Sequence, residues 1–151
     1  MTTAYFKKLF DYDFWANERM LASMEATAGL AEEAVKKMSH ILMAKALWLS
    51  RLIPGTLTPD LQALVTPAEG RRLNGELKDR AEKYLSSITE GQLAEKIAYK
   101  NTKGIPFEFP LVDILAHMAN HGTYHRGQVA TLIKRSGGNP PETDYIVFIR
   151  Q

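Results

Sequence analysis

Three of the four histidines of this chain, His117, His121 and His125, recur at intervals of four residues. An α-helix stacks positions with that spacing on one face, with Cβ atoms about 5–6 Å apart, so the motif commits its surroundings to a helix. Two imidazoles one turn apart can grip one metal ion. Three cannot readily share it, because at about 1.5 Å rise per residue His117 and His125 lie roughly 12 Å apart along the axis. One adjacent pair is therefore expected to bind, either His117 with His121 or His121 with His125, and the third histidine has another task. The alternative is a polar helix face with its histidines turned to water.

Two helical histidines leave a first-row metal short of ligands, since such ions take about four to six. The chain holds one more histidine, His40, in a segment where Val35, Met38, Leu42, Ala46 and Leu49 recur at helical spacing. His40, Met43, Ala44 and Leu47 lie along one side of that helix, beside the apolar stripe. An inward-facing His40 can meet the pair from a second helix, as in bundle-core metal sites; standing alone, it reads as a hydrogen-bonded core histidine.

Breakers divide the chain into helix-length pieces. Helix one is expected over about 2–26, with Phe6, Leu9, Phe10, Met20, Leu21 and Met24 on its apolar side, and helix two over about 31–52, stopped by Pro54-Gly55. A loop carrying Pro54, Pro59 and Pro67 leads to helix three at about 69–88, with Leu73, Leu77, Ala81, Tyr84 and Leu85 inward. The period then changes from helical to alternating. Residues 96–100 and 105–109, separated by Asn101-Thr102-Lys103-Gly104, read as a short β-hairpin whose second strand Pro106 confines to an edge. Helix four runs from about 110 to 136 and ends at Gly137-Gly138-Asn139-Pro140-Pro141; the tail from Thr143 is expected to pack irregularly on the bundle. The fold class is all-α, with the hairpin between helices three and four, in a single domain over residues 1–151.

Composition narrows the function. With 151 residues the chain can bury a continuous core, and with no cysteine it has no disulfide, thiolate ligand or cysteine nucleophile. No apolar run approaches the roughly 18 residues of a membrane span, and Lys7, Lys8, Asp11 and Asp13 interrupt the N-terminus too early for a secretory signal; a cytoplasmic protein is expected. Net charge is only +2. The densest basic stretch, Arg71, Arg72, Lys78, Arg80 and Lys83, is broken by Glu76, Asp79 and Glu82, which describes a solvated helix face rather than a nucleic-acid-binding stripe.

The segment Asn120-His121-Gly122-Thr123-Tyr124-His125-Arg126-Gly127-Gln128, preceded by His117, resembles the signature of the DinB/YfiT-like family of metal-dependent proteins, which is distinct from the DNA polymerase sharing the older DinB name. Phe14-Trp15-Ala16-Asn17, His40 and Asp144-Tyr145 agree with it, so the resemblance spans essentially the whole chain. It implies a four-helix bundle with one metal ligand on the second helix and two on the fourth, which here are His40, His121 and His125, with His117 lining the pocket one turn earlier. It also implies transfer or isomerisation of substrates with a small thiol cofactor, and a homodimer; the open coordination of a three-histidine site adds hydrolysis through bound hydroxide as a further reading. Zinc or nickel is expected, since imidazole suits both.

Other polar residues and the glycines carry open readings. Asp13 and Asn17 extend helix one's apolar row, where burial would demand partners. One such partner would be the far nitrogen of a ligating histidine, and the other reading is a plain interhelical hydrogen bond. Arg126 is read either as an anchor for an anionic substrate or as an ion-pair partner of Asp113 or another surface carboxylate. Gly122 and Gly127, each about 1 kcal/mol worse than alanine in a helix, either let substrate or helix approach the metal or serve packing and dimer contacts. Helix one's aromatic residues, Tyr5, Phe6, Phe10, Tyr12, Phe14 and Trp15, exceed what one core is expected to cover, which again points to a partner subunit. Three neutral imidazoles leave coordination positions open, as Lewis-acid chemistry needs, while the absence of a His-Glu-x-x-His glutamate keeps a non-catalytic metal-binding role as the alternative.

Overall fold

Thr2 opens the chain's first helix by accepting a hydrogen bond from the Tyr5 amide, 3.1 Å away, and α1 then runs over Thr3–Glu25. The structure is a computed structural model and describes residues 1–55 and 58–151. Helix α2 spans Glu32–Leu52, with Glu32 and Glu33 in its first turn and Arg51 in its last, both favourable to the helix dipole. The loop after it was expected through Pro67; its residues 56–57 lie outside those described.

Helix α3 spans Pro67–Ser87, two residues longer at its start than the sequence reading. The reason is a complete capping box: Thr66 Oγ1 accepts from the Glu69 amide, and Glu69 returns a carboxylate oxygen to the Thr66 amide at 2.9 Å. Pro67 follows at the position where its missing N–H is harmless. Glu69 is thus the third residue of the helix rather than its first. A short 3-10 turn, Gly91–Ala94, which the sequence reading left out, then leads into the hairpin.

The hairpin pairs β1 (Lys96–Lys100) with β2 (Pro106–Pro110), one residue later on the second strand than expected, with Tyr99 opposite Phe107 and Ile97 opposite Phe109. Pro106 sits at the first residue of β2, where the missing donor is tolerated. In the turn, Asn101 Oδ1 accepts from the amides of Lys103 and Ile105, both at 2.9 Å, and Gly104 supplies the left-handed backbone at φ +78°. Helix α4 follows at once over Leu111–Arg135.

Helices α1 and α2 each pack against both α3 and α4, so α1 lies diagonal to α2 and α3 to α4, and the order around the bundle is α1, α3, α2, α4. The core between them includes Phe6, Phe10, Phe14, Met38, Leu42, Leu77, Leu115 and Ile133. This arrangement, a four-helix bundle with a hairpin between α3 and α4, places His40 on α2 opposite the histidine face of α4.

The tail is more regular than expected. It forms a short helical turn, α5 (Tyr145–Phe148), which sets Tyr145 edge-on against Tyr12 at 5.1 Å and Phe148 against Trp15 at 5.5 Å. Tyr12 also donates its hydroxyl to the Thr143 carbonyl at 2.9 Å. Phe6, Phe10, Tyr12 and Phe14 are buried, and of the α1 aromatics only Tyr5 counts as exposed. The surplus that was read as a partner-binding face is covered by the chain itself.

Candidate metal centre

The ligand atoms of His40, His121 and His125 all lie within 4.8 Å of one another. His40 Nε2 and His121 Nε2 are 3.1 Å apart, and ring centroids are separated by 5.0 Å for His40–His121, 4.7 Å for His40–His125 and 4.5 Å for His121–His125. A tetrahedral ion with metal–nitrogen bonds near 2.0–2.1 Å needs donor atoms about 3.4 Å apart. The His40–His121 separation is close to that spacing and the third nitrogen lies within 4.8 Å of both, so the donor set fits a divalent cation. Of the two adjacent pairs on α4, the structure joins His121 and His125 to His40, and His117 is outside the group.

Gln128 was not given a role from the sequence, although it stands one turn beyond His125. Its Oε1 lies 2.8 Å from His125 Nδ1. With that N–H donating to the amide oxygen, Nε2 keeps its lone pair for a metal, which is how ligating histidines are commonly oriented. Protonation does not compete at neutral pH for His121, whose pKa is lowered to about 4 by burial first and then by the neighbouring His125 and His40. Burial, with His125 and Lys37, lowers that of His40 as well. A protonated imidazole cannot ligate, so these shifts hold the donors in the useful form.

His117 is exposed to solvent, with its ring 5.4 Å from that of His121 and 5.5 Å from that of Trp48. Burial, and then the charge of Lys45, lower its pKa. It lines a cavity of about 300 Å³ with Trp48, Tyr99, Phe109, Asp113 and Ile114.

Behind the histidines lies a second polar group, closed to water. Arg126 is 2% exposed and binds Asp13 Oδ1 at 2.5 Å and Asn17 Oδ1 at 2.8 Å. Lys45, 3% exposed, contacts the other Asp13 oxygen at 2.6 Å and donates to the Met118 carbonyl of α4 at 3.1 Å. Asn17 donates to Asn74, which in turn donates to the Phe14 carbonyl. These contacts correct the sequence reading twice. Arg126 does not face an anionic substrate or pair with Asp113 or another surface carboxylate, because its guanidinium is buried in the bundle, where Nη1 and Nη2 donate to Asp13, Asn17 and Thr123. Asp13 does not orient a histidine, because both of its oxygens meet cations.

Lys45 and Asn74 were missed, although a signal for Lys45 existed. Positions 38, 41, 42, 45, 46 and 49 form the buried stripe of α2, and a lysine on such a stripe needs a carboxylate partner. Burial alone would raise the Asp13 pKa, but the charges of Lys45 and Arg126 together hold it below the ordinary carboxylate value. The group carries two cations to one anion, and aromatic faces supply part of the balance. Lys45 Nζ stands 4.7 Å from the Phe10 ring centre and Arg126 Cζ 5.4 Å from that of Tyr12.

Gly122 belongs to this cluster. A Cβ there would collide with Asp13 Oδ1 and come within 2.9 Å of the Arg126 guanidinium, so the glycine lets α1 and its carboxylate lie against α4. Gly127 meets nothing of its own chain within 4 Å, so close helix packing inside the bundle is not its role. Lys45 and Asp13 thereby fix α2 and α1 against the α4 turn that carries His121, and the ligand geometry is built on that register.

The model of the DinB family matches residues 7–151. "Protein DinB" of Bacillus subtilis (strain 168) is 23% identical over 159 aligned positions, covering 94% of this chain and 92% of that protein. The crystal structure of a DinB-like protein from Bacillus cereus ATCC 10987 superposes with a TM-score of 0.75 at 20% identity, covering 93% of this chain and 97% of the other. That likeness bears on the fold, and the family match is what carries the assignment: this chain belongs to the DinB family.

Proposed function

We propose that His40, His121 and His125 hold one divalent ion, zinc or nickel, and that the protein is a metal-dependent enzyme of the hydrolase or small-thiol transferase type. The observation that carries this is the convergence of three imidazole nitrogens from two helices within 4.8 Å, on a face where His40 remains open to solvent. A structural zinc site is closed by four protein ligands, whereas three leave room for a further one. An ion bound there would supply Lewis acidity to water, a thiol or a substrate oxygen.

The residues around the site favour a thiol over water as the reacting partner. The nearest buried carboxylate, Asp13, is neutralised by Lys45 and Arg126 and is not free to accept a proton. His117, exposed beside His121, and the carboxylate of Asp113 line the neighbouring cavity. A thiol needs no strong base, since coordination deprotonates it outright. The sequestration of the Asp13 carboxylate in its ion pairs supports the second reading, a protein that binds metal without catalysis.

Elemental analysis after dialysis tests the first step. About one divalent ion per chain is expected, lost in His40→Ala, His121→Ala and His125→Ala and kept in His117→Ala. Cobalt substitution tests the second. A low-molecular-weight thiol should produce a thiolate-to-cobalt charge-transfer band that His121→Ala abolishes, with affinity that differs among thiols. Equal, weak binding of every thiol and no metal-dependent turnover would leave the non-catalytic reading.

A further inference from the structure

The hairpin has two unlike faces. One carries Ala98, Glu108 and the Lys96–Glu108 ion pair; the other carries Ile97, Tyr99, Phe107 and Phe109. Phe107 and Phe109 lie nearly parallel, with an interplanar angle of 15°, yet remain 38% and 43% exposed. Tyr99 continues the stack at 24° to Phe107 and stands edge-on to Trp48 of α2, 4.9 Å away. An aromatic row left this open is an unusual use of apolar surface unless something binds there.

The row does not move freely. Arg51 sits 4.5 Å from the ring centres of both Trp48 and Tyr99 and donates to the Lys100 carbonyl at 2.9 Å, clamping the hairpin to the end of α2. The clamp holds open the cavity of about 300 Å³ described above, a size that suits one or two rings. Its wall is continuous with the metal centre, through Trp48 to His117 at 5.5 Å and His117 to His121 at 5.4 Å.

We infer that this cavity binds an aromatic group of a ligand whose Lewis-basic head reaches the three-histidine site. The inference deepens the functional reading above and rests on it for the head group only. Aromatic walls favour a flat ring through stacked and edge-on contacts. An organic cation fits less well, because Arg51 already occupies faces of Trp48 and Tyr99 and a divalent ion would stand next to His117. Asp113 adds one carboxylate at the wall, an acceptor for a ring hydroxyl or amine.

The chain has two tryptophans, so Trp15→Phe leaves Trp48 as the sole reporter. In that background the zinc-loaded protein is titrated with acetohydroxamate and with phenylalkyl hydroxamates of increasing linker length. The best phenyl probe should bind at least tenfold more tightly than acetohydroxamate and change Trp48 emission. Phe109→Ala and Phe109→Leu, at an exposed position, should remove that gain and leave acetohydroxamate affinity unaltered. Equal affinity for phenyl and methyl probes, or a gain that survives both variants, overturns the inference. Should acetohydroxamate itself fail to bind, the metal reading fails, and phenylalkyl alcohols on metal-free protein then decide the cavity alone. Saturable quenching of Trp48 lost in Phe109→Ala upholds it, and its absence overturns it.

Discussion

At Asp13 one carboxylate faces two cations, Lys45 at 2.6 Å and Arg126 at 2.5 Å, in a space that water does not reach. Replacing it by asparagine keeps the volume and strands two buried charges, so Asp13→Asn is expected to destabilise the fold by about 3–5 kcal/mol, read from urea unfolding. A loss under about 1 kcal/mol would mean that Lys45 is neutral in the fold. The pH dependence has a definite sign. His121 is lowered to about 4 in the folded chain, against about 6.5 when unfolded, so the unfolded state takes up a proton first as pH falls. The metal-free protein should therefore lose stability between about pH 6.5 and 4, with His121→Ala flattening part of the slope. Asp13, also lowered, adds its loss only below about pH 4, under the unfolded carboxylate value. An unchanged urea midpoint between pH 7 and 4.5 would contradict the His121 assignment.

Helix α4 carries two of the three candidate ligands and both glycines, and the structure separates the glycines sharply. Gly122→Ala places a methyl group against the Asp13 carboxylate and Arg126, and overpacking of this kind costs about 1–3 kcal/mol. Gly127 has open space around it and no left-handed backbone, so Gly127→Ala should raise stability by up to about 1 kcal/mol. Thermal melts of the two variants should move in opposite directions; parallel shifts would refute the reading. The sequence showed that both glycines were anomalous but could not say which one faced a partner, because the partner, Asp13, is more than a hundred residues away. Legibility followed the same division elsewhere. Helix spans and the hairpin were readable, since they rest on local period and breakers. The capping box at Thr66 was equally local and was passed over. The destinations of Arg126 and of the α1 aromatics depended on which helices become neighbours, and that no short-range pattern records.

The order of helices around the bundle, α1, α3, α2, α4, is what turns scattered histidines into one site. His40 and His121 are 81 residues apart and meet at 3.1 Å only because α2 and α4 are neighbours while α1 and α2 are diagonal. Of the site, the paired histidines are legible by their spacing and His40 as the one further histidine on a helical stripe, while the choice of pair rests on the resemblance. The supporting layer of Lys45, Asn74 and Gln128 depended on the assembled bundle. A metal bound by His40, His121 and His125 would link α2 to α4 and act on the whole fold by mass action, because the unfolded chain has no such convergence. At a free concentration one hundred times the dissociation constant, the expected stabilisation is about 2.7 kcal/mol. For a domain of this size that is a rise of roughly 5–11 °C in melting temperature. Zinc or nickel added to chelator-treated protein should produce this shift, with His117→Ala responding as the parent does. His40→Ala and His125→Ala, lacking one ligand from either helix, should respond weakly. If all three variants shift alike, the ion is binding elsewhere on the surface, and the three-histidine site has no part in holding the bundle together.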